Sequence, residues 1–177
     1  MTEAKKPSPE PEPWLRGTHR ELDPMVRQFV HSMEQVQEDA ERWCAGLSEG
    51  ELNASPMGLP SVAFHLRHMT GSLDRLLSYA EGRQLDAAQL AAMRREMDMH
   101  ATTAGLFEEV REALANSKRR AQAFTPAQYN QERGVGRKLL PTTVGSLLVH
   151  CAEHTQRHLG QAITTAKLLM ALRDQER

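Results

Sequence analysis

The chain has 177 residues, with 22 basic and 23 acidic side chains, a formal net charge of −1 and 5% aromatic residues. Charge this evenly balanced argues against a nucleic-acid groove or an anionic membrane as the main partner, and so few aromatics weaken any base-stacking platform. The length suits one domain with a real core and no need of disulfides. Nine Met, many Ala, Leu, Glu, Gln and Arg and few β-branched residues point to an all-α fold. The two cysteines, Cys44 and Cys151, suit a reducing compartment. There is no apolar signal core and no apolar run of the ~20 residues a membrane span needs, so the expected location is the cytoplasm.

Residues 1–13 are polar and punctuated by proline, and a flexible tail is expected over 1–15, with Trp14 and Leu15 pinning its end to a single domain over 16–177. Asp23-Pro24 reads as a helix start, with Asp as N-cap and Pro at the first helical position. Val26, Phe29, Val30, Met33, Val36, Ala40, Trp43 and Leu47 then make one apolar face, and Gly50 falls after the end. Asn53 to Pro60 is a connector rich in turn residues. Ser61 caps a second helix to about Ala80, closed by Gly82, with Val62, Leu66, Met69, Leu73 and Leu76 on its apolar stripe. A short helix is expected within 86–97, and a third long helix from about Thr103 to Phe124. Residues 125–141 carry Pro126, Gly134, Gly136 and Pro141 and read as irregular. A fourth helix runs from Thr142 or Thr143 to about Leu172. Four long helices with one apolar stripe each make a four-helix bundle with a short extra helix.

The fourth helix carries His150, His154 and His158. At a spacing of four they climb one stripe, each about 40° around from the last, with neighbouring Cβ atoms roughly 5–6 Å apart. The stripe coincides with the apolar face, so these rings point into the bundle. Three buried neutral imidazoles are hard to satisfy with side chains alone. A metal takes one nitrogen from each ring and leaves the other to a hydrogen-bond acceptor. One straight helix cannot surround an ion, and His65 and His68 on the second helix are the obvious suppliers of a further ligand. Helical phase slightly favours His65.

Two segments resemble a known family. Ser61-Val-Ala-Phe-His-Leu-Arg-His68 is similar to the first ligand motif of the DinB-like (DinB/YfiT-like) superfamily of metalloenzymes. Pro141 to Gln161, containing His154-Thr-Gln-Arg-His158-Leu-Gly-Gln161, is similar to its second, in which H-x-x-x-H is followed by x-G-Q. The resemblance runs from about residue 20 to 170. It implies a four-helix bundle holding a divalent ion, zinc or nickel, on His68, His154 and His158. It also implies a homodimer and, for some members, thiol-dependent S-transfer or isomerisation with a low-molecular-weight thiol. Three neutral histidines leave positions on the ion for water or a thiol, whose pKa the ion lowers. This chain departs from the family at Leu159, where an arginine is frequent, and so lacks a cation that could touch an anionic substrate.

Several residues have competing readings. His150-Cys-Ala-Glu153-His154 matches the inverted zinc-protease motif H-x-x-E-H, with Glu153 as general base of a metallohydrolase. A polar edge residue that orients a histidine is the simpler role for Glu153. Cys151 lies on the ligand face, either as a soft-metal ligand or thiol or as a small core residue. Gln161 could hydrogen-bond water on the ion or a backbone group. His31, among Gln and Glu, reads as solvated, and His19 and His100 carry no signal. Arg94-Arg95-Glu96 and Lys118-Arg119-Arg120 read as solvated faces, the latter able to attract an anionic thiol. The expected activity is therefore that of a metal-dependent enzyme on an unknown small molecule. The alternatives are a non-catalytic, metal-stabilised binding or stress-response module and a bundle without an ion.

Overall fold

Asp23, Ser61 and Thr102 begin three of the four long helices by accepting backbone N–H groups that the first helical turn leaves unpaired. The computed structural model describes residues 10–97 and 101–175. Its helices are α1 (Pro24–Cys44), α2 (Glu49–Asn53), α3 (Val62–Ala80), α4 (Ala87–Arg94), α5 (Thr103–Ala121) and α6 (Val144–Gln175). Helix α3 packs on α6 and α5, and α1 packs on the same two, so α1 and α3 occupy opposite corners of a four-helix bundle. The core runs from Phe29, Met33 and Val36 of α1 through Leu66, Met69 and Leu73 of α3 to Leu106 and Leu114 of α5 and Leu148 and Leu159 of α6. Among the described residues, no helix is long and apolar enough to cross a membrane.

Four local expectations are corrected. Gly50 does fall after α1, but it lies inside a further short helix, α2, which Ser48 starts through a reciprocal capping box with Glu51. The apolar face of α1 reaches Leu47 only after the helix has ended at Cys44. Residues 125–141 are not simply irregular. Strands β1 (Glu132–Val135) and β2 (Leu140–Thr143) pair antiparallel there, with Gly134 opposite Pro141. Strands of four residues carrying Gly and Pro give almost no alternating signal. Arg133 Nε donates to the carbonyl of Ala80 at 2.7 Å and fastens the hairpin to the end of α3. At the start of the chain Trp14 is 54% exposed and Leu15 is exposed as well; the buried residue is Pro13, in a 3-10 turn over Pro13–Leu15. The first nine residues of the expected tail and His100 lie outside the described residues.

Asp23 links distant parts of this frame. Its Oδ1 accepts from Met25 N at 3.0 Å, from Val26 N at 3.4 Å and from the Tyr129 hydroxyl at 2.5 Å, while the Tyr129 carbonyl accepts from Gly145 N at 2.9 Å. One carboxylate thus caps α1 and holds the segment that leads into α6. Asp23→Ala is expected to lower unfolding free energy by about 2 kcal/mol, the sum of a lost cap and a stranded hydroxyl, in urea titration. Tyr129→Phe should lose about half of that.

Candidate metal centre

The frame brings α3 and α6 together along their histidine faces. One ring nitrogen from each of His68, His154 and His158 lies within 4.8 Å of the other two. Ring centroids are 4.3 Å apart for His68 and His158, 4.5 Å for His154 and His158, and 5.2 Å for His68 and His154. The group could hold a metal ion. An ion with bonds of about 2.1 Å in tetrahedral geometry wants donors roughly 3.4 Å apart, within reach of small ring rotations.

Each ring is held differently. His68 Nδ1 sits 2.7 Å from Glu96 Oε2. An ionised carboxylate only accepts, so His68 donates there and keeps the Nε2 lone pair free. Glu96 also accepts from Arg75 Nη1 at 2.5 Å, and it is 7% exposed. Burial pushes its carboxyl up, but the hydrogen bonds from His68 and Arg75 outweigh that and hold it below the usual carboxylate range. His158 Nδ1 lies 3.2 Å from His65 Nδ1, so a donating His158 likewise leaves its Nε2 open. His154 Nδ1 is buried without a hydrogen-bond partner among the described residues, an unmet polar atom of the kind an ion satisfies.

Desolvation first, then the neighbouring His158 and His68, pushes both His65 and His154 down to about 4, and His158 is also lowered by burial and His68. These three rings are neutral near pH 7, the form in which imidazole offers a lone pair.

The structure separates the remaining candidates. His65 is 3% exposed and deeper than His68, which explains its favourable phase, but it stands behind His158 and outside the convergent group. His150 is half-exposed and, with Nδ1 3.5 Å from Glu153 Oε2, is not in the group either. Glu153 is exposed and paired with Arg157, so H-x-x-E-H is not assembled as two ligands and a base. Cys151 is fully buried in the core, and desolvation pushes its thiol up to about 12, far from a ready thiolate. Gln161 is exposed and lines a cavity of about 300 Å³ with Leu59, Pro60, His65 and Arg157. Leu159 packs in the core.

Glu96 and Arg75 escaped the sequence reading, and the supposed solvated run Arg94-Arg95-Glu96 is corrected at its last residue. A sequence signal did exist. Gly71 sits inside α3, where glycine costs about 1 kcal/mol against alanine. A Cβ at that position would lie 2.7 Å from Glu96 Oε1 and 2.9 Å from Arg75 Nη1. Arg120 is corrected too: it is tied to Asp74 and Glu81, each at 2.6 Å, and does not extend freely into solvent.

A family model described as the DinB superfamily matches residues 32–162, most of the chain and all of this cluster. The chain belongs to the DinB superfamily. A comparison with curated proteins gives no match. Superfamily membership agrees with a metal-binding bundle, and the resemblance drawn from His68, His154 and His158 falls on the rings that this DinB-superfamily protein brings together.

The lowered histidines set a pH dependence. A ring whose folded pKa lies near 4 and whose unfolded pKa lies near 6.5 binds fewer protons when folded between those values. In chelator-treated protein, folding stability should therefore be constant above about pH 6.5 and fall as pH drops toward 4. Urea midpoints measured across that range should show the decline, and it should be shallower in His154→Ala.

Proposed function

We propose that His68, His154 and His158 hold one divalent ion, zinc or nickel, and that the protein is a metal-dependent enzyme acting on a small molecule. The carrying observation is the convergence of three imidazole donors, one of them oriented by a buried carboxylate that is itself fixed by Arg75. An ion there supplies a Lewis acid that lowers the pKa of water or of a thiol occupying its free position. Three protein donors rather than four leave such a position, which favours catalysis over a purely structural ion. His65 does not fill it, because its Nδ1 is engaged with His158.

The reaction class we favour is S-transfer from a low-molecular-weight thiol, on the superfamily resemblance of the two histidine motifs. The cavity on the far side of His65 is our candidate space for such a molecule, lined by Gln161, a neutral hydrogen-bonding group, and by Arg157, which is paired with Glu153. Arg120 does not line that cavity and is held by both Asp74 and Glu81. The buried, unpaired Cys44 and Cys151 support a reducing, cytoplasmic setting, and a homodimer belongs to the same proposal.

Elemental analysis of tag-free protein tests the site. Metal content should fall by about one equivalent in His68→Ala and in His154→Ala, and thiol-dependent turnover of an electrophile panel should vanish on chelation. Unchanged metal content in both variants would overturn the assignment. Glu96→Gln keeps the shape but removes the charge behind His68. Its metal affinity should fall about 10–100-fold in a competition titration against a chromogenic chelator. An unaltered affinity would reduce Glu96 to a packing role.

A further inference from the structure

The turn before α1 carries a second cluster of metal-ligating side chains that shares no residue with the first. His31 and Glu34 stand three apart on α1 and therefore on one face, and His19 reaches them from the turn. One donor atom from each lies within 4.8 Å of the other two. Contrary to the solvated reading from sequence, His31 is 5% exposed. His19 Nε2 lies 2.8 Å from Glu34 Oε1, Thr18 Oγ1 lies 3.1 Å from His31 Nε2, and the two histidine ring centroids are 5.6 Å apart.

The backbone is bent to make this meeting. His19 holds φ 56°, a left-handed conformation that side-chain-bearing residues rarely adopt, and Leu22 N closes the turn onto the His19 carbonyl at 3.1 Å. A cavity of about 250 Å³ opens beside the cluster, lined by Arg16, Thr18, His19, Glu34, Gln37 and Glu38. The one cation in that lining, Arg16, is neutralised by Glu38 through contacts of 2.6 and 2.7 Å. Glu21 Oε1 stands 3.9 Å from His19 Nδ1, beyond hydrogen-bond distance but adding negative charge beside the cluster.

We propose that His19, His31 and Glu34 form a second site, for a divalent transition metal of the zinc class. Two imidazoles and one carboxylate suit zinc-like ions, whereas magnesium and calcium take oxygen donors. An ion there staples the turn to α1 and stabilises the folded chain, since the unfolded chain does not assemble the donors. His19 and His31 lie before the segment matched by the superfamily model, so membership carries nothing about them.

The test is zinc binding to chelator-stripped full-length protein, read by equilibrium dialysis with elemental analysis and by melting temperature. His31 is buried and its replacement could unfold the chain, so the variants are His19→Ala and Glu34→Gln. Wild type should take about two equivalents, each of these variants about one, His68→Ala about one, and the double variant His19→Ala/His68→Ala none. Zinc should raise the melting temperature of His68→Ala but not that of the double variant. A single equivalent that survives His68→Ala and is lost in His19→Ala would support this site and overturn the first. A second equivalent that survives both His19→Ala and Glu34→Gln, a single one lost in His68→Ala, or no zinc at all would overturn the second site and leave the His19–Glu34 contact as a hydrogen bond only.

Discussion

The histidine cluster depends on one buried carboxylate. Glu96 follows α4, 28 residues from His68 in sequence, yet it accepts from His68 and Arg75 at once. Both donors come from α3, and Gly71 between them leaves out the side chain that would otherwise occupy the space of the carboxylate. A buried charge is tolerated only when paired and hydrogen-bonded, and Glu96 meets that condition on both oxygens. In return it fixes which nitrogen of His68 keeps its lone pair. Short helix α4 owes its importance to this: its amphipathic signal is weak, but it delivers the residue that orients a ring on another helix.

The neutral rings follow from the same packing. His65, His154 and His158 lie between α3 and α6, where apolar neighbours remove water and each ring disfavours charge on the next. A cluster of this kind destabilises the fold when its nitrogens are unmet and becomes a ligand set when an ion satisfies them. The surrounding frame resists its collapse. Asp23 joins the start of α1 to the segment before α6, and Arg133 joins the hairpin to the end of α3, so the two histidine-bearing helices are fixed at their ends by contacts far from the rings.

The helices were legible in the sequence because their signals are local. Asp23-Pro24, Ser61 and Gly82 mark ends through backbone hydrogen bonding and glycine's tolerance of positive φ, and the apolar spacing of α1, α3, α5 and α6 is dense enough to survive noise. The hairpin was not legible, since four-residue strands containing Gly134 and Pro141 lack alternation. Ser48 with Glu51 was legible in principle, but the longer period of α1 obscured it. His31 misled because the residues one helical turn away from it, Arg27, Gln28, Glu34 and Gln35, are polar, whereas Thr18 and His19 of the preceding turn fold over it.

By itself, then, the sequence determined four long helices, the identity of their buried faces and the presence of three histidines on one stripe of α6, because helical geometry converts spacing directly into direction. Family resemblance, rather than periodicity, singled out His68. Only the tertiary structure decided that His68 meets His154 and His158 while the deeper His65 stands behind them, that Glu96 orients His68, and that His19 crosses to His31 and Glu34. Each of these depends on side chains from separate elements arriving within a few ångströms of one another. No periodicity within a single helix encodes that distance; the packing of α3, α4 and α6, and of the turn against α1, sets it.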